Sequence, residues 1–395
     1  MSMNRLLKMP LLARIIVAIV LGVAIGQVAG DTFVRVFLTF NAVFAQFLNF
    51  LVPLIIVGLV TSAIADIGRG AGRLLAITVA IAYADTVLAG LLAYGTGEAL
   101  FPAMVAGTQN VAVAHAAELK PFVELQIPPM IDVMSALVLS FVLGLGIAYK
   151  QTPALHHAFS EFNEIISAAI SKAIIPLLPI YIFGIFLSMT HSGEAYRILA
   201  VFAQIIVVIV VLHIVILLYE NIFVGAVVRR NPLRMLLNML PAYFTALGTS
   251  SSAATIPVTL RQTLKNGVSP DIAGFTVPLC ANIHMPGSMM KITACALTIC
   301  MLQGQPHDMG LFLHFIMLLA ICMVAGPGVP GGAIMAALAP LGSVLGFGSD
   351  MQALMIALYI AMDSFGTACN VTGDGAIAVL IDRIRGERKQ QAPTA

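Results

Sequence analysis

Charged residues are scarce in this chain of 395: 18 Asp and Glu with 20 Lys and Arg make up 10% of it, and the net charge is +2. No basic run interleaves with aromatics, so no stripe for phosphates exists and nucleic acid is excluded as a partner. Cysteine is sparse as well. Cys280, Cys295, Cys300, Cys322 and Cys369 are odd in number, lie in apolar surroundings and form no CxxC pair, which excludes a disulfide framework and a cysteine metal site. Neither GxSxG nor a His-containing metal motif occurs, which argues against a hydrolase working inside a membrane. What the chain has instead is apolar bulk: 60% of it is hydrophobic, and mean hydropathy is +1.00. A soluble fold of this size cannot bury so much, whereas roughly 20 residues per crossing gives on the order of ten bilayer spans. The chain reads as a polytopic, all-α membrane protein.

The first 30 residues join a basic start to an apolar run as long as a crossing, and no A-x-A site closes it. They read as a retained first helix. Further spans are expected at 34–65, 72–100, 130–149, 164–190 and 196–228. Basic residues stay on the cytoplasmic side. With the N-terminus inside, fifteen of the twenty Lys and Arg fall on inner segments. The outer ones hold Arg35, Lys120 and Arg197, while Lys172 and Lys291 sit inside apolar stretches. Both termini are expected in the cytoplasm, with the chain in a bacterial-type inner (plasma) membrane.

In the second half that bookkeeping fails for simple crossings. The stretch 233–265 begins beside inner arginines and ends beside Arg261 and Lys265, so a single crossing would invert everything after it. A re-entrant hairpin with Gly248 to Ser252 at its tip repairs the count. The stretch 311–345 has the same form, with its tip at Gly326 to Gly332 and the acidic ends Asp308 and Asp350. Irregular backbone at bilayer depth is tolerated where protein buries it or it lines a wet cavity. Two hairpins from opposite sides, each followed by a crossing (272–303 and 350–381), suggest an inverted repeat around a site. The alternative is two kinked, closely packed helix pairs.

Within the last crossing, Asp363 and Asp374 are eleven residues apart, nearly one face and about three turns. Thr367 and Asn370 share that face. Ionisable groups at such depth face a site or a partner, so a structural ion pair stays open for each. Lys291, three positions after Ser288, reads as a cation beside a site or as the partner of Asp374, Asp363 or Asp85. His284 and Asp85 are candidate coupling groups or simply packed polar residues. His213 and Glu220, seven apart on one face, read as a scaffold contact outside the site.

Four blocks carry a resemblance: SSSAATIPVTLR at 250–261, FTVPLCANIHMPGS at 275–288, GPGVPGGAIM at 326–335 and MDSFGTACNVTGD at 362–374. In this order and spacing the chain resembles the dicarboxylate/amino acid:cation symporter family. The resemblance implies eight transmembrane helices plus two re-entrant helical hairpins in an inverted-repeat, elevator-type fold, assembled as a homotrimer in lipid. Residues 1–70 and 130–191 would form the scaffold and trimerisation helices, 71–129 the third helix and an outer loop, and 195–395 the transport core.

The same resemblance assigns roles. Asp363 would receive the substrate amino group, with Thr367, Ser288 and Asn370 nearby. The substrate carboxylate would rest on Ser250, Ser251 and Ser252, and Val329 at the second tip would also contact the substrate. Cation ligands would come from Cys280, His284, Asn370 and Asp374, and from backbone around Asn282, Met285 and the second tip. Two departures are informative. Gly366 stands where acidic amino acid carriers have an arginine, so acidic substrates are disfavoured unless Lys291 supplies the charge. Pro286 stands where a third sodium site has a carboxylate, so that site is expected to be lost, with Asp85, His284 or Lys291 as replacement charges.

The resulting expectation is a non-enzymatic symporter that imports a small neutral or polar amino acid with sodium and has no cofactor. Proton coupling, or an anionic amino acid or dicarboxylate held by Lys291, is the alternative. A passive channel or intramembrane hydrolase is the reading from a different class.

Overall fold

The computed structural model describes residues 11–70, 72–106, 119–193, 195–324 and 331–391, and every regular element among them is helical. The first half is built from α1 (Leu11–Gly26), α2 (Asp31–Gly70), α3 (Gly72–Val105), α4 (Val133–Lys150), α5 (Pro153–Ala169) and α6 (Ile175–His191). The second half comprises α7 (Ala195–Val228), α8 (Pro232–Thr249), α9 (Ser252–Lys265), α10 (Pro270–Ile283), α11 (Pro286–Gln303), α12 (Met309–Val324), α13 (Gly332–Ser343), α14 (Ser349–Ala361) and α15 (Asp363–Gln391).

Among the described residues, five helical stretches are long and apolar enough to cross a membrane: Asp31–Ser62, Leu74–Val105, Pro153–His191, Ala195–Val228 and Pro270–Gln303. The bent pair α14 and α15 makes a sixth, and Leu11–Gly26 and Val138–Lys150 are apolar but shorter. The expected span 164–190 proves to be the end of a longer rod. Thr152 and Pro153 start it, with proline at the first helical position where its missing N–H costs nothing. A π turn at Ile170–Ile174 then carries the chain into α6 without a break. Its first turns carry exposed His157 and Glu161, which is why apolar length alone starts it too late.

The expected crossings 272–303 and 350–381 are likewise not straight. α10 stops where His284 is extended (φ −108, ψ 101), and Pro286 restarts the helix as α11. Proline has no N–H to donate and pushes the residue before it away from helical geometry. α14 and α15 meet at 63° across Met362. At the expected tip of the first hairpin, Ser250 takes the left-handed conformation (φ 51), and α8 packs against α9. α12 packs against α13 in the same way. Most of the expected tip at 326–332 falls on residues outside those described.

α2 packs on α4, α5 and α6, and α1 lies along α6. α11 is buried on every side from Pro286 to Leu302, with α3, α7 and α15 around it. A helix buried all round belongs to the core, yet this one carries Ser288, Lys291, Thr293 and Thr298, so polar chemistry is placed at the centre of the molecule.

The α1–α6 contact depends on Gly22, where a Cβ would stand 2.8 Å from the Phe183 carbonyl oxygen. Gly22→Val forces the two helices apart and is expected to cost about 1–3 kcal/mol, read as a lowered Tm in detergent. An unchanged Tm would show that α1 does not press on α6 this closely.

Candidate functional site

Asp363 opens α15, and the α8–α9 turn and the start of α13 both meet that opening. Ser250, between α8 and α9, places Oγ 2.7 Å from Ser364 Oγ. From the other side, the Gly331 N–H donates to Asp363 Oδ2 at 2.9 Å. A carboxylate in the first turn of a helix is favoured by the exposed N–H groups there. Ser251 caps α9 by accepting the Ala254 N–H at 3.3 Å, and Ser252 is the first residue of that helix. Two broken helix ends and one carboxylate therefore converge from three separate stretches of sequence.

The other oxygen of Asp363 faces a cation. Lys291 Nζ lies 3.4 Å from Asp363 Oδ1 and 3.4 Å from the Met362 carbonyl oxygen. It also stands 3.8 Å from the centre of the Tyr359 ring. Lys291 is fully buried. A buried ammonium requires a paired carboxylate, and an aromatic face adds about 2 kcal/mol when water is excluded. Gly366, one turn into α15, makes the room: a Cβ there would stand 2.5 Å from Nζ. Of the partners left open by the sequence, Lys291 takes Asp363, and its ammonium fills the space beside Gly366.

A second cluster lies further along α15. His284, in the break between α10 and α11, spans two carboxylates: Nδ1 is 3.0 Å from Asp374 Oδ1, and Nε2 is 3.0 Å from Asp85 Oδ2 on α3. The ring of His284 is thus engaged at both nitrogens. Its extended backbone turns the ring toward α3 and α15, where burial demands partners for both nitrogens.

Asn370 lies between the clusters. Its Oδ1 accepts the Gly287 N–H at 2.8 Å and the Ser288 N–H at 3.4 Å, and its Nδ2 donates to Ser288 Oγ at 3.2 Å. It thereby satisfies N–H groups that the start of α11 leaves without helical partners. Ser288 Oγ also meets the Tyr359 hydroxyl at 3.0 Å. Thr367 donates to the carbonyl of Asp363 at 2.8 Å, the ordinary bond of a helical threonine. The Met285 N–H donates to Thr86 Oγ1 at 3.3 Å. Cys280 is buried near this break, whereas Asn282 is exposed and donates to the Pro278 carbonyl at 3.1 Å. Val329 lies outside the described residues.

Tyr359 escaped the sequence reading, since an aromatic in a span is commonplace. Gly331 falls within the expected second tip. Glu220 stands outside the expected site although it carries a signal, a carboxylate in a 34-residue apolar helix, because its neighbours come from α3 and the α10–α11 break.

The sequence profile of the sodium:dicarboxylate symporter family matches residues 11–384, nearly the whole chain. The chain belongs to that family. It is a multi-pass membrane protein of a transporter family and not an enzyme. Among similar proteins are the serine/threonine transporter SstT of Acinetobacter baumannii strain AYE, 27% identical, and that of strain ATCC 17978, 26% identical. Each alignment covers 95% of this chain and 97% of the relative.

The Gly366–Lys291 fit has a measurable consequence for this symporter family member. Gly366→Ala is expected to lower stability by about 1–3 kcal/mol through overpacking. In a Lys291→Met background the same change should cost far less, giving a coupling of about 0.5–3 kcal/mol in a double-mutant cycle of thermal unfolding. Additive effects would place the two groups out of contact.

Proposed function

We propose that this protein is a sodium-coupled symporter importing a small neutral or polar amino acid across a bacterial inner membrane. The observation that carries the reading is the convergence of both hairpin ends on the first two residues of α15, Ser250 on Ser364 and Gly331 on Asp363. Broken helices whose ends meet at a charged centre are the way a carrier builds a site within the bilayer. In this reading the α8–α9 and α12–α13 pairs are re-entrant hairpins of an inverted repeat, and eight other segments cross the membrane. The hairpins move with α3, α7, α10, α11, α14 and α15 as an elevator against a scaffold from 1–70 and 130–191. The carrier is a homotrimer with both termini in the cytoplasm. The similar proteins named above carry serine and threonine in their names, which fits a small polar zwitterion.

The substrate ammonium is assigned to Asp363, and its carboxylate to the backbone at Ser250 and Ser251 and the hydroxyl and amide of Ser252 at the start of α9, a helix N-terminus suited to an anion. Sodium is assigned to Asp374 with carbonyls around Cys280, His284 and Asn370, and a second ion to Asn282, Met285 and the second hairpin tip. Uptake of serine or threonine into proteoliposomes should follow an imposed sodium gradient. Asp363→Asn should reduce it to background while leaving the assembled protein intact by size-exclusion chromatography. Uptake that ignores the gradient, or survives Asp363→Asn, overturns the assignment.

Lys291 makes the binding step an exchange, because its ammonium already stands on Asp363. A zwitterion must displace it. Lys291→Gln is therefore expected to tighten equilibrium binding of a neutral amino acid about tenfold, near 1.4 kcal/mol. The position of Lys291 beside Gly366 also favours a second reading, in which the ammonium holds an anionic side chain. Under that reading Lys291→Gln weakens binding of aspartate or a dicarboxylate and leaves serine unchanged, so one isothermal titration series with both ligands decides between them.

A further inference from the structure

Glu220 on α7 is 2% exposed, and as an ionised carboxylate it finds no hydrogen-bond donor for either oxygen among the described residues. A buried carboxylate without a partner is costly. It is not isolated from other donors, however. One oxygen each of Glu220 and Asp85 and one ring nitrogen of His284 all lie within 4.8 Å of one another. Gly373 on α15 lets Glu220 approach, since a Cβ there would stand 2.5 Å from Glu220 Oε2 and 2.9 Å from His284 Cε1. The three donors come from α3, α7 and the α10–α11 break. They are distinct from Asp363 and the hairpin ends.

We propose that Asp85, Glu220 and His284 form a binding site for one divalent first-row transition ion, such as Mn2+, Co2+ or Zn2+. The donor chemistry selects the class. An imidazole nitrogen with two carboxylate oxygens suits these ions, whereas magnesium and calcium take oxygen ligands. Two carboxylates are neutralised by one divalent charge and only half neutralised by an alkali ion. The outer partner is in place as well: in the tautomer that donates Nδ1–H to Asp374 (3.0 Å), the Nε2 lone pair faces Asp85 and Glu220. A carboxylate behind a ligating histidine fixes its orientation and raises its basicity. Ligand bonds of about 2.0–2.2 Å put the donors of a tetrahedral ion about 3.4 Å apart, so the more widely separated side chains must draw together on binding. A cavity of about 430 Å³ lies beside Asp85 and Glu220 and is lined mostly by apolar groups such as Leu88, Phe223 and Val224. The bound ion would tie α3 and α7 to the break between α10 and α11.

The test uses the full-length protein in detergent, stripped with chelator and titrated with Co2+ in 100 mM sodium chloride. One equivalent per chain should bind, with visible d–d absorption and a raised Tm. Glu220→Gln and Asp85→Asn should each weaken binding at least tenfold, whereas replacing the exposed His157 should change nothing. No saturable binding overturns the site, as does binding that neither variant weakens or that the sodium chloride abolishes. Should Glu220→Gln fail to fold, the wild-type titration and Asp85→Asn still decide. No step measures transport, so the outcome is independent of the symporter reading.

Discussion

A charge placed away from water must be met by an opposite charge or by dipoles, and the centre of this molecule is arranged around that requirement. Lys291 is met by Asp363 and the face of Tyr359, and His284 by Asp374 and Asp85. Each residue, one in the α10–α11 break and one after it, finds one partner on α15 and a second elsewhere, on α14 for Lys291 and on α3 for His284. Such breaks leave backbone N–H and C=O groups without helical partners. Asn370 answers those of α11, and Asp363 accepts the N–H of Gly331. Where helices stop and where ionisable groups gather are therefore one structural fact, since the dipoles freed by a break are what make a buried charge tolerable.

The sequence made the class legible, because 60% hydrophobic content has no soluble solution. It also located the first hairpin. Ser250 was placed at a tip by the return of basic residues at Arg261 and Lys265, and the chain does turn there through a left-handed residue. What stayed hidden is bending inside apolar runs. Nothing in the composition of 350–381 announces a 63° bend at Met362, because apolar length registers the same on either side of a break. Pro286 was a stronger cue to the break at His284, yet proline also occurs inside continuous helices here, as at Pro53 and Pro241.

Partner choice was the other hidden quantity. Three carboxylates were available to Lys291, and only packing could choose, through the space left by Gly366. Glu220 shows the same limit from the opposite side. Read along its helix it has only His213 for company. In three dimensions it meets Asp85 and His284, while His213 turns to the Gly287 carbonyl at 3.0 Å. Helical periodicity assigns a face, but the groups opposite that face come from distant segments.

The Lys291–Asp363 pair also sets a condition on any ligand. Two ammonium groups cannot both neutralise one carboxylate, so a zwitterion entering at Asp363 gains only the difference between its own contact and that of the lysine. The displaced lysine must keep polar partners, because a buried ammonium with none would cost more than the exchange returns. Its remaining neighbours are the Tyr359 face and the Met362 carbonyl, both already within 3.8 Å. Both belong to the bend between α14 and α15. A lysine leaning further on that bend while Asp363 turns to the ligand would couple occupancy to the angle of the two helices, and through the Gly331 N–H to the start of α13.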